Sequence, residues 1–198
     1  MKHPSIRELF DYWNERRGGR AMPERADIEP TAIRRVLADT FILSFEPAAG
    51  HPFRIAGTRV CALFGRELKG ESFLRLFSHC ARSDMGGLLA IVAQEAVGIV
   101  GAASEYRTDG CDRHLEFLLL PLGYEGQGTA RLLGALAPSN SLQWPQERGL
   151  AALALESYRF LITDAAISPP RHNSLSKNAA DRIWWFMKAG SAEALTGH

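Results

Sequence analysis

The sequence predicts an α+β fold, an antiparallel sheet with helices on one face. Three observations carry that prediction. Runs with apolar residues at every second position stand in hairpin-like pairs toward both ends of the chain. Between them lie segments whose apolar residues recur every three or four positions. The regular strand–helix alternation of a dinucleotide-binding fold is absent.

Taken in order, Pro4 to Arg17 reads as a helix, because Ile6, Leu9, Phe10 and Trp13 fall on one stripe and Gly18-Gly19 stops it. A polar loop follows, and Pro30 is suited to open a short second helix with Ile33, Val36 and Leu37 along one side. The period then changes to two. Residues 40–46 alternate Phe41, Leu43 and Phe45 against Ile42, Ser44 and Glu46, and the turn-forming residues 47–52 lead into FRIAGTR. That second run starts a strand from Phe53 and breaks into a helical turn around Val60, Leu63 and Phe64, closed by Gly65 and Gly70. Ser83 is a cap for a helix from about Asp84 to Ala96, weakened by Gly86-Gly87 and ended by Gly98. Strands are expected over 98–107, 113–123 and 130–138, the first two joined by the Asp109-Gly110 turn, with a last β-like segment over 150–161. Residues 165–176 read as a linker, and a short helix or frayed tail closes the chain.

Charge is almost balanced, with 23 Lys and Arg against 22 Asp and Glu, so no global field favours nucleic acid, membrane or an acidic partner. Three cysteines, Cys61, Cys80 and Cys111, form no CxxC pair, which signals neither a disulfide framework nor a zinc site and suits a reducing, cytoplasmic compartment. Charged residues interrupt any signal-peptide pattern near the start, and no apolar run approaches the roughly 20 residues a spanning helix needs. Catalytic patterns are missing too. There is no GxSxG elbow, no phosphate loop and no HExxH pair, so the chain is not expected to be an enzyme.

The stretches HPSIRELFDYWNERRGGRAMP, FRIAGTRVCALFGRELKGESFL and LEFLLLPLGYEGQGTARLLGALAP resemble a PAS domain, in particular the bacterial PAS_5 subgroup. The likeness covers about Pro4 to Leu161, and GTRVCALFGRELKG is its most specific motif. It implies a PAS-like five-stranded antiparallel sheet with helices on one face and an N-terminal helical extension. The corresponding division is an extension over 1–38, a PAS-like domain over 39–162, and a linker with C-terminal tail over 163–198. It also implies a sensory or regulatory role in signal transduction, exercised through a small-molecule ligand, protein contact or both, rather than catalysis. No ligand or cofactor is assigned. His79-Cys80 lies where some PAS proteins hold haem, but a lone loop histidine is more often solvated or capping, and the Asn-Cys-Arg-Phe run of flavin photosensors is missing.

Two sets of candidate site residues follow. Phe64, Phe73 and Phe77 from the helical layer and Phe117 from the closing strands line the space between helices and sheet, as a ligand pocket or as plain core. Arg59 and Glu116 are the polar groups for orienting a ligand; the competing role of Arg59 is a salt bridge to Glu105 or Glu116. The second set is for partner binding. It comprises the stripe Leu9, Phe10 and Trp13, which packs on its own sheet or on a second subunit, and Trp184, Trp185 and Phe186 in the tail, which dock back or meet a partner. A homodimer or another protein partner is expected. The rival function is an adaptor with a filled core and no ligand.

Overall fold

A computed structural model describes residues 1–105, 112–124, 129–139 and 149–161. The strand periodicity resolves into β1 (Thr40–Ser44), β2 (Phe53–Ala56), β3 (Gly98–Glu105), β4 (Arg113–Gly123), β5 (Thr129–Pro138) and β6 (Ala154–Leu161). They form one sheet in the order β2-β1-β5-β4-β3-β6, with neighbouring strands antiparallel throughout. The sheet therefore has six strands rather than five, because β6 pairs along β3 from Gly98↔Leu161 to Ser104↔Ala154.

The described residues form three α-helices, α1 (Pro4–Arg17), α2 (Thr58–Phe64) and α3 (His79–Glu95). The helical layer lies on one face of the sheet, as expected, and the N-terminal extension α1 packs on the other, the first of the two places open to its stripe. Successive strand residues point to opposite faces, and on one face Ile42, Val100, Leu118, Leu120, Leu133 and Ala135 share a buried cluster with Ile6, Leu9 and Trp13 of α1. Burial of each of these three α1 side chains contributes about 1.5–3 kcal/mol or more. On the other face, Phe41, Leu43, Ile99, Phe117 and Leu119 are buried, as are Val60 and Leu63 of α2 and Met85, Leu88, Leu89 and Val92 of α3.

Local chemistry explains how α1 is held. Pro4 stands at its first position, His3 Nδ1 accepts the Ser5 N–H at 3.2 Å, and Arg16 and Arg17 lie in the last turn, where the helix dipole favours cations. Trp13 is 1% exposed, and its indole N–H donates to the Pro121 carbonyl at 2.9 Å. Pro121 lies beyond the last β3–β4 partner pair, Ile99↔Leu119. A proline is thus admitted into an interior strand where no β3 residue needs its missing N–H.

Three boundaries differ from the sequence expectation. Residues 30–36 are turns leading into a 3-10 turn at Leu37–Asp39, not an α-helix. Their backbone bonds step three residues, as in Val36 N–H to Ile33 O at 2.9 Å, which aligns Ile33 and Val36 on the same buried side. α3 starts five residues earlier than its Ser83 signal, because Ser78 is the cap and its hydroxyl accepts from Ala81 N–H at 3.4 Å. The β2 strand ends at Ala56 and α2 begins at Thr58, so Arg59 is helical.

Candidate functional site

The space between the helical layer and the sheet is lined by aromatic side chains. Phe73, from the 3-10 turn Phe73–Leu76, lies with its ring centre 5.5 Å from Phe41, 5.8 Å from Phe53 and 5.4 Å from Phe77. The arrangement is mostly edge-to-face, the geometry that ring quadrupoles favour. Two glycines make room for the outer rings. Gly134 pairs with Phe41 and Gly101 with Phe117, and a Cβ at either glycine would overlap its partner's ring. Phe64 is buried at the end of α2, with the Arg66 guanidinium 5.9 Å from its ring centre.

Phe64, Phe73, Phe77 and Phe117 all fall within this buried layer. The two polar residues expected beside them do not join it. Arg59 donates from Nε and Nη2 to the two carboxylate oxygens of Asp39 at 2.6 and 2.7 Å. The salt-bridge role is therefore real, but the partner is Asp39, not Glu105 or Glu116. Glu116 is opposite Ala102 and Ala137, on the α1 face of the sheet, while Phe117 faces the other way. Its carboxylate accepts the backbone N–H groups of Lys2 at 2.9 Å and His3 at 2.7 Å, tying the approach to α1 onto β4.

Of the partner-binding set, Leu9 and Trp13 are buried against their own sheet, and Phe10 is half-buried beside Trp13 with ring centres 6.4 Å apart. Trp184, Trp185 and Phe186 lie outside the described residues.

Three polar residues carry weight that the sequence reading did not assign to them. Asp39 is 3% exposed and also accepts the Ser5 hydroxyl at 2.6 Å, so one carboxylate joins α1 to α2. Glu105, near the end of the same sheet face as Phe117, is 6% exposed. Its Oε1 accepts the Ala151 N–H at 2.6 Å, and its Oε2 lies 3.5 Å from the Arg113 guanidinium without a hydrogen bond. That contact anchors a strap, residues 149–153, which crosses the helical layer through Leu150 N–H to Leu63 O and Leu153 N–H to Leu76 O. His51 is 2% exposed with φ 58°, and burial pushes its imidazole pKa down, against opposing contributions from the Ser44 backbone and Glu46. Only a carboxylate directly preceding a strand start, as at Asp39, offered a signal in sequence. The other two depend on contacts across long chain separations.

Among the described residues, no helix is long and apolar enough to cross a membrane, and no three His, Cys, Asp or Glu side chains are grouped to hold a metal ion.

The family model for a PAS domain, PAS_5, matches residues 1–137. No curated protein matches the chain. Among solved structures, it is similar to a Rhodobacter sphaeroides LOV protein at 11% identity and a TM-score of 0.41, covering 52% of this chain and 60% of that one. It is also similar to the PAS domain of Bordetella pertussis BvgS at 16% identity and a TM-score of 0.41, covering 57% and 88%. A third is the PAS domain of an HTR-like protein from Haloarcula marismortui, at 19% identity and a TM-score of 0.38, covering 55% and 90%.

Proposed function

Because this chain belongs to the PAS_5 family of PAS domains, we propose that it is a sensory or regulatory module of signal transduction whose input is a small ligand held between helical layer and sheet. The ligand is apolar or amphipathic, since the walls are Phe64, Phe73, Phe77 and Phe117. The observation that carries this reading is Glu105. Its carboxylate is buried at the edge of an apolar layer, and Oε2, although 3.5 Å from the Arg113 guanidinium, accepts no hydrogen bond. A ligand N–H or O–H donor supplies one. Its output is a shift between two packings of the helices, which a ligand drives only by binding one of them better. It works by binding rather than catalysis, in the cytoplasm, as a homodimer or with a protein partner.

The second reading is an adaptor with a filled core, favoured by the close packing of Phe73 against three other rings. Thermal-shift screening and native mass spectrometry of protein purified from its own host separate the two. The sensor predicts a bound small molecule whose stabilising effect is lost in Phe117→Leu and Glu105→Gln. If nothing binds, and both variants change stability alone, the adaptor stands. In that case a pull-down with and without residues 176–198 asks whether the tail carries the partner.

A further inference from the structure

α1 and α2 lie on opposite faces of the sheet, yet both end on one buried carboxylate. We propose that Asp39 is the joint through which the position of α2 governs the docking of α1. Arg59, in the first turn of α2, reaches Asp39 with two hydrogen bonds, and the same carboxylate takes the Ser5 hydroxyl from the first turn of α1. The route passes around the β1–β2 edge of the sheet rather than through it.

The backbone makes that joint stiff. Gly57, just before α2, approaches the carbonyls of Leu37 and Ala38 so closely that a Cβ would overlap them, and its N–H donates to Thr40 O at 2.8 Å. Thr40 Oγ1 in turn donates to Val36 O at 2.9 Å. A displacement of α2 therefore cannot be absorbed by slack beside Asp39.

The coupling is electrostatic in origin. Asp39 is 3% exposed, and Arg59 is the cation that its ion pair supplies. The Asp39 hydrogen bond raises the pKa of the Arg59 guanidinium. When α2 moves and takes Arg59 with it, Asp39 keeps only a neutral hydroxyl. A buried carboxylate in that position draws in water or turns outward, and either response removes the acceptor that holds Ser5. The output is a loosened first turn of α1. This coupling requires no ligand and holds whether α2 is moved by a small molecule or by a protein.

The test uses the full chain and hydrogen exchange of the α1 amides, with α3 as internal reference. Arg59→Gln removes hydrogen bonds to Asp39 and Arg35 and none to α1. It is expected to raise exchange of the amides from Arg7 to Phe10, the first to bond across the opening turn of α1, by about tenfold relative to α3. In an Asp39→Asn background, where no charge demands a partner, Arg59→Gln is expected to leave that ratio unchanged. Unchanged α1 protection in Arg59→Gln overturns the proposal, and so does an equal rise in the Asp39→Asn background. Should Arg59→Gln fail to fold, Arg59→Lys loses the two-pronged contact with Asp39; a smaller rise that is absent in the Asp39→Asn background supports the proposal, and an unchanged ratio overturns it.

Discussion

At the scale of single residues, Gly57 is tightly constrained, and the reason is space rather than conformation. Its φ of −67° suits any residue, but a methyl group there would enter the Leu37 and Ala38 carbonyls. Gly57→Ala is expected to destabilise the protein by about 1–3 kcal/mol, measured by urea unfolding. A loss under about 0.5 kcal/mol would mean that the 37–40 segment yields easily. His51 is a second case. Its folded form resists protonation, whereas the unfolded chain takes the proton near the ordinary histidine value of 6.5. Below that pH the unfolded state binds more protons, so the His51 contribution is full above about 6.5 and is lost as pH falls toward the lower folded value. Urea midpoints at about pH 7.5 and about pH 5.5 are expected to differ less in His51→Asn than in the native protein, asparagine being tolerant of the left-handed backbone. Equal differences in both proteins would place the acid sensitivity elsewhere. At this scale the sequence was partly legible. The aromatic set Phe64, Phe73, Phe77 and Phe117 followed from periodicity, because burial has a pattern. The partners of Arg59 and Glu116 did not, because a salt bridge or a capped N–H depends on which faces meet across tens to more than a hundred positions.

At the scale of elements, helix existence was easier to read than helix ends. The stripe of α1 was evident, and what it faced was not. The decision rests on Pro121, whose carbonyl is left for the Trp13 indole where β3 has already ended. α3 shows the opposite problem, since Gly86-Gly87 suggested a weak first turn, yet both glycines are interior and Ser78 starts the helix. Packing of Met85, Leu88 and Leu89 offsets their propensity cost. The other end of α3 carries an avoidable strain. Its cap, Ala96, adopts φ 52° and ψ 36°, a left-handed conformation that glycine takes without steric cost. Ala96→Gly is expected to raise stability by about 1 kcal/mol, seen as a higher thermal midpoint. A lower midpoint would show that glycine's gain in unfolded-chain entropy outweighs the relief.

At the scale of the whole molecule, the antiparallel α+β architecture was legible because hairpin signals and the change of period are local properties. The segment that becomes β6 was visible as a β-like run and the α1 stripe was evident, but that β6 joins the sheet beside β3 and that α1 covers the second face are set by where distant segments come to rest. β6 follows the strap at 149–153, and the match to the family model stops at residue 137, before either begins. The sheet is thus enclosed by α1 on one side, by α2, α3 and the strap on the other, and Asp39 connects the two coverings at one edge. This layout lets movement on one face be felt on the other without disturbing the strand pairing. The paired glycines and phenylalanines provide a way to watch it. Each α-proton of Gly101 and Gly134 on the interior face sits beside an aromatic ring, so ring currents displace its magnetic resonance from the usual glycine position. The two glycines lie on different strands, one beneath Phe117 and one beneath Phe41. A molecule that turns either ring on entering the interior shifts the resonance of the glycine beneath it, so the protein carries its own pair of spectroscopic markers for which part of the layer has opened.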